Sequence, residues 1–415
     1  MKANQFINLS FSCLTALFFI SCGQKSEPLH YGIWRGVLKT QSGVEIPFNF
    51  NLKDSAGHTR MEIINGSENF RIDDISITKD SIFISIPLFE SQVRAKRDGN
   101  LQGKWIKRLA DRDAVMDFSA VPGASWRFFK KPAKTNLNIS GRWSVMLSDS
   151  IKKDTTVAVG EFQQNGSTLT GTFLTSTGDY RFLEGTLADG KLFLSGFNGA
   201  SAVLFTADIA DSTNIINGKL YSGYSGMKNW TAVKDAKAML PDAYSLTGLK
   251  PGIRKIDFSF RGLNGEQVSL SDERFRNKVI VVQFLGTWCP NCMDETAFLS
   301  PFYKKYREKG LEVIGLAYER TKDFDRSKKN LNHLKERFDV EYPLLITGYT
   351  NNKDEVMRSI PMLNDFRAFP TTILIGRKGE VRKVHTGFSG PGTGIHYEKY
   401  TKEFTKTIEE LLAEN

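Results

Sequence analysis

Cysteine and histidine are scarce in this chain: its 415 residues hold four of the first and five of the second. Cys289 and Cys292 form the one vicinal pair, while His30, His58, His333, His385 and His396 are scattered. Zinc would need two further ligands beside that pair, so no metal centre is expected. The apolar stretch Phe6 to Ile20 is shorter than the about 20 residues that cross a membrane as a helix. Dense basic runs interleaved with aromatics are also missing. The net charge of +10, or +9 without Lys2, is dispersed and reads as solvation rather than nucleic-acid binding. The glycine-rich stretch His385 to Gly392 has no Lys-Ser/Thr pair, which excludes a phosphate cradle and leaves a loop at a sheet end, with His385 as a packing residue.

The length exceeds what one core usually serves, so several domains are expected. From His30 to Asp235 the chain reads as two copies of one all-β unit. Gly32-Ile33-Trp34 recurs as Gly141-Arg142-Trp143, Phe70-Arg71 as Tyr180-Arg181, and Asp80 to Ser85 as Gly190 to Ser195. Leu101-Gln102-Gly103-Lys104 recurs as Ile216-Asn217-Gly218-Lys219. Turn signals such as Gln164-Asn165-Gly166-Ser167 and the period-two set Leu169, Gly171, Phe173 favour antiparallel barrel-like or sandwich-like units. Trp34 and Trp143 are expected to plug each core, although a lipocalin-like ligand cavity is the alternative. With no acid–base pair or nucleophile constellation, this half is expected to dock, space or bind clients. The fold class is therefore multi-domain: two all-β units, then a C-terminal α/β domain. The expected boundaries are a leader at 1–21, β units at 22–130 and 131–235, a linker at 236–251, and the last domain at 252–415.

The leader has one charge, Lys2, and ends in Phe19-Ile20-Ser21-Cys22-Gly23, which resembles a bacterial lipoprotein signal. That resemblance implies cleavage before Cys22, lipidation of Cys22, and a membrane anchor facing the periplasm. Gly23, where an inner-membrane retention signal would place aspartate, favours the outer membrane. Cys13 would leave with the leader, making Cys289 and Cys292 the only free thiols. In an oxidising compartment such a lone pair points to catalysis, because a disulfide across so short a loop hardly constrains the unfolded chain.

Cys289-Pro290-Asn291-Cys292 follows the apolar run Val279 to Phe284 and precedes helix-compatible sequence. Unpaired backbone N–H groups and the helix dipole stabilise an anion at a helix start, so a thiol there ionises readily. Cys289 is expected to be the exposed attacker, with Trp288 and Pro290 stiffening the site and keeping it at the surface. Cys292, three residues on, can resolve a mixed disulfide. Around this motif the pattern gives a hairpin, Phe258 to Leu270, and strands at Val279 to Phe284, Leu311 to Ala317, Thr371 to Ile375 and Glu380 to His385. Helices are expected at Ser327 to Phe338 and along the stripe Tyr400, Phe404, Ile408, Leu411, while Phe298, Phe302 and Tyr306 share one face of the helix after the motif.

The run Val281 to Cys289, the Trp-Cys-x-x-Cys element, Glu295 and Phe369-Pro370-Thr371 occur in the order found in the TlpA/ResA-like thiol–disulfide oxidoreductases, and residues 245 to 415 resemble that thioredoxin-fold family. The resemblance implies disulfide-containing client proteins, a membrane electron donor, and no organic cofactor or metal. It makes Phe369-Pro370 a cis-proline loop that, with Trp288 and Pro290, receives the client. Two positions depart from the wider fold: Gln283 stands where thioredoxin has a buried aspartate, and Ala297 where a kinking proline is expected, with Pro301 a turn later. Proton handling then falls to Glu295, or Glu295 is an ordinary acidic residue of an early helical turn. Residues 320 to 365 correspond to a segment that varies within the family. The reducing direction is expected. Two other readings stay open: a peroxiredoxin-like peroxidase, and a non-enzymatic lipoprotein with a redox-sensitive adaptor domain.

Overall fold

The computed structural model describes residues 28–149 and 154–414, so Cys22 and the leader lie outside it. Its N-terminal part contains two antiparallel sheets, each of nine strands among the described residues. In the first, the opening strand Gly32–Lys39 lies between Glu45–Ser55 and the closing strand Asp113–Pro122. This sheet stays open between Glu68–Ile72 and Ile75–Ile77. In the second, Gly141–Asp149 takes the same place between Asp154–Asn165 and Gly226–Lys234. Here Thr168–Thr175 pairs with Asp154–Asn165 on one side and Leu183–Ala188 on the other, closing the ring. The two-residue strand Gly178–Asp179 hangs from Thr168–Thr175 at its rim.

The duplication is visible atom by atom. Gly32 and Gly141 both have positive φ, 113° and 114°, which only glycine adopts without strain. Two residues later Trp34 Nε1 donates to His30 O at 3.0 Å, and Trp143 Nε1 to Ile139 O at 2.9 Å. Both indoles are buried, with their one polar atom satisfied by the turn before the strand. The second ring is filled by side chains: Phe173 stacks on Phe205 at 4.0 Å, and Trp230 meets Phe173 edge-on at 5.2 Å. Core packing, rather than a ligand cavity, is the role the tryptophans play.

The C-terminal domain comprises β1 (Ser259–Gly262), β2 (Gln267–Ser269), β3 (Val279–Leu285), α1 (Pro290–Tyr306), β4 (Leu311–Glu319), α2 (Phe324–Phe338), β5 (Leu344–Thr350), α3 (Lys353–Ser359), β6 (Thr371–Ile375), β7 (Val381–Thr386) and α4 (Ile395–Ala413). The sheet order is β2-β1-β5-β4-β3-β6-β7, with β3, β4 and β5 mutually parallel and β6 antiparallel to β3. β3 is buried along its whole length, as expected of a central strand covered on both faces. The stripe Tyr400, Phe404, Ile408, Leu411 of α4 is buried, and Phe298, Phe302 and Tyr306 stack along α1. The segment 320 to 365, expected above to vary within the family, contains a further central strand, β5, and the helix α3. Leu344-Leu345-Ile346 is too short an apolar run to show a period, and only the preceding Pro343 marks its start. Among the described residues no helix is long and apolar enough to cross a membrane.

Emptying the second ring should be costly. Trp143→Ala is expected to lower stability by about 3–5 kcal/mol, the range for large core truncations. Met227→Ala, at an exposed position, should change it by no more than about 0.5 kcal/mol. Denaturant titration of the two variants against the parent checks both.

Candidate active site

The parallel strand β3 delivers Gly286-Thr287-Trp288 to the start of α1, and Cys289 is its N-cap. Cys289 and Cys292 are bonded to each other, their Cα atoms 5.3 Å apart. Cys289 Sγ also accepts the N–H of Cys292 at 3.2 Å, one of the donors that a helix start leaves without an intrahelical partner. Pro290 at the first helical position has no N–H to leave unsatisfied. The approach to the dithiol is fixed to the end of β4. Thr287 donates its N–H and its hydroxyl to Glu319, each at 2.8 Å, and Trp288 Nε1 donates to Tyr318 O at 3.0 Å. Phe369-Pro370 is a cis peptide, Phe369 O lies 3.7 Å from Cys289 Sγ, and the Phe369 ring meets Trp288 edge-on at 5.4 Å.

Glu295 is wholly buried beneath the pair. Its carboxyl accepts from Gln283 Nε2 at 2.8 Å and from Thr372 Oγ1 at 2.6 Å, and the same Gln283 amide lies 3.5 Å from Cys292 O. Burial raises this carboxyl to a pKa of about 7. The residue replacing the expected aspartate is thus the one that holds Glu295 in place. Thr372 and Glu319 were not found from sequence, because each is polar in a buried strand and only the fold brings it to the motif. His385 is a packing residue, between the rings of Tyr244 and Tyr400 with Nδ1 3.0 Å from Gly387 O.

One expectation is corrected. Cys289 is not an exposed attacker: it is 5% exposed, Cys292 is fully buried, and Trp288 and Pro290 are only partly open. Phe369 and Cys292 flank the Cys289 sulfur within the redoxin domain, and a turn of the second β unit docks beside them, from which Arg181 Nη1 donates to Pro290 O at 3.2 Å across 109 residues of sequence. Trp288, Pro290, Phe369 and Pro370 do gather around Cys289, whereas the anchor position Cys22 lies outside the described residues.

Residues 251–399 match the Redoxin family model. The C-terminal part of the chain is a redoxin domain. The thiol-disulfide oxidoreductase ResA of Geobacillus thermodenitrificans is 28% identical over 141 residues, covering 34% of this chain and 72% of that protein. The thioredoxin-like protein YneN of Bacillus subtilis is 28% identical over 140 residues, covering 34% and 74%. A putative thiol:disulfide interchange protein DsbE from Chlorobium tepidum aligns over 40% of this chain and 100% of its own, at 20% identity and a TM-score of 0.31. Fold, bonded dithiol and family agree on a thioredoxin-like thiol–disulfide oxidoreductase.

The buried carboxyl makes the redoxin domain sensitive to pH. Because the folded-state pKa of Glu295 lies above its ordinary 4.5, the native state binds more protons than the unfolded chain between pH 4.5 and 7. Stability contributed by the neutral acid is therefore lost as pH rises through that window. In the oxidised protein the share of the loss due to Glu295 should be on the order of 3 kcal/mol; Glu295→Gln should remove that share and leave the one due to Asp294, which burial raises to about 7 in the same window, as denaturant titrations of both proteins at several pH values would show.

Proposed function

We propose that this chain is a membrane-anchored, extracytoplasmic oxidoreductase that reduces disulfides of client proteins. The observation that carries the reading is the dithiol at the start of α1, set over a buried carboxyl linked to it through Gln283. In the reduced enzyme the Cys289 thiolate attacks a client disulfide, and one client sulfur leaves and takes a proton. Cys292 passes its proton to Glu295, one helical turn on, and attacks Cys289 Sγ in the mixed disulfide. The second client thiol is released, the Cys289–Cys292 bond forms, and two electrons have passed to the client. Trp288, Pro290, Phe369 and Pro370 border the attacking sulfur and would contact the client. A membrane electron donor returns the enzyme to its dithiol form.

In this reading residues 22–130 and 131–235 are the β units, joined through 236–251 to the redoxin domain at 252–415. The leader's resemblance to lipoprotein signals supports lipidation of Cys22 and a periplasm-facing anchor, with Gly23 favouring the outer membrane. Neither an organic cofactor nor a metal enters the exchange.

The direction of electron flow is tested on the chain from residue 23 onward, equilibrated in dithiol buffers and read by alkylation. A midpoint at about −250 mV or below is expected; one near about −120 mV would reverse the direction, and absence of titration would remove the assignment. Cys292→Ser should arrest the reaction as a mixed disulfide on Cys289, visible as a covalent adduct on a non-reducing gel. For the anchor, Cys22→Ser should move the protein from the membrane fraction to the soluble one.

A further inference from the structure

The turn Thr177–Arg181 of the second β unit lies against the residues that border Cys289. On one side, Arg181 donates to Pro290 O and forms ion pairs with Asp294 of α1 and with Glu68 of the first β unit. On the other, Asp179 Oδ2 accepts the N–H of Gly390 at 2.7 Å. The glycines of the loop after β7 allow this approach. A methyl group on Gly387 would lie 3.0 Å from the Thr177 carbonyl carbon, and one on Gly392 would lie 2.8 Å from that of Arg181. Gly387 N in turn donates to Pro370 O at 2.8 Å, next to the Phe369 carbonyl that faces Cys289 Sγ. One turn thus covers the start of α1 and the loop beside the cis-proline together, and Cys289 is left 5% exposed.

This contact has the features of one that opens. The turn is held by ion pairs and hydrogen bonds, which it can exchange for water while the apolar cluster joining the first unit to the redoxin domain stays packed. The contact is also incompletely satisfied: Arg181 Nε and Asn291 Nδ2 are buried there without a hydrogen-bond partner. Arg181 itself stands at φ 56°, a conformation rare for a residue with a side chain. A client sulfur has to meet Cys289 Sγ directly, and with the turn docked on the neighbouring Pro290 and Asp294, Cys289 is 5% exposed.

We propose that the Thr177–Arg181 turn is an intramolecular occupant of the client-binding face, and that an extended client segment takes its place before exchange begins. The inference rests on the redox reading above. In the first β unit the equivalent residues, Phe70-Arg71, dock on α2 instead: Arg337 donates to Arg71 O at 2.9 Å and lies over the Phe70 ring. The same repeat position serves as a fixed attachment in one unit and as a cover in the other.

The test uses the chain from residue 23 with Cys292→Ser, so that Cys289 is its only thiol, and compares a small iodoacetamide with a bulky polyethylene-glycol maleimide. In the parent, Cys289 should react readily with the small reagent and slowly with the bulky one. Arg181→Ala should speed the bulky reaction by about tenfold or more, because it removes a buried charge shared by two ion pairs and shifts the population towards the open form. Gly392→Ala, which wedges the turn away without touching its charges, should act in the same direction and carries the test if Arg181→Ala does not fold. Bulky alkylation at the parent's rate in a folded Gly392→Ala protein overturns the proposal, as does a parent that reacts equally with both reagents. The reagents report access alone, so failure of the dithiol to titrate would defeat the redox reading separately.

Discussion

A single buried guanidinium ties the three parts of this protein together. Arg181 belongs to the second β unit, one of its carboxylate partners to the first and the other to the active-site helix. All three side chains are nearly closed to water, so removing the guanidinium leaves two carboxylates facing each other without a counter-charge in a poor solvent for them. Neighbouring contacts follow the same line: Arg326 pairs with Glu90, and Arg142 and Glu161 meet His396. The β units are thus held to the redoxin domain by directional polar contacts that fix the docking geometry, beside an apolar cluster that runs from the first unit into the redoxin domain.

Within the redoxin domain the chemistry depends on where charge is favoured and where it is not. The start of α1 offers its unpaired N–H groups to Cys289, while a layer below, Glu295 sits where burial favours its neutral form. A thiolate above and a protonatable acid below are a workable arrangement for moving one proton at each step of exchange. Thr287 and Trp288 hold the upper layer to β4, and Gln283 and Thr372 hold the lower one to β3 and β6. No loop has to order itself to assemble the site.

Much of this was legible in the sequence, for reasons that differ by residue. The dithiol, Trp288 and the cis-proline loop are short, contiguous motifs whose meaning survives without a structure. The duplication was legible because Gly32-Ile33-Trp34 and Gly141-Arg142-Trp143 carry a backbone requirement, positive φ at the glycine, that few residues meet. What could not be read was anything created by folding across long separations. Arg181 appeared only as a repeat mate of Arg71, and nothing near it in the chain points to α1. The one mistaken site expectation, an exposed Cys289, has the same root, since both the Phe369 carbonyl beside its sulfur and the turn docked on Pro290 come from far along the chain. Strand β5 was missed for a different reason: its buried part, Leu344 to Thr347, is too short to show a period.

The closed ring of the second unit has a consequence for the company this protein keeps. Chains with unsettled disulfides are incompletely folded and carry unpaired strands in search of an edge. The unit nearest the dithiol offers them almost none, because its main strands pair all the way round and only the two residues Gly178–Asp179 hang free. The first unit leaves its edges at strands of five and three residues, too short to template much. A half-folded visitor can leave as readily as it came.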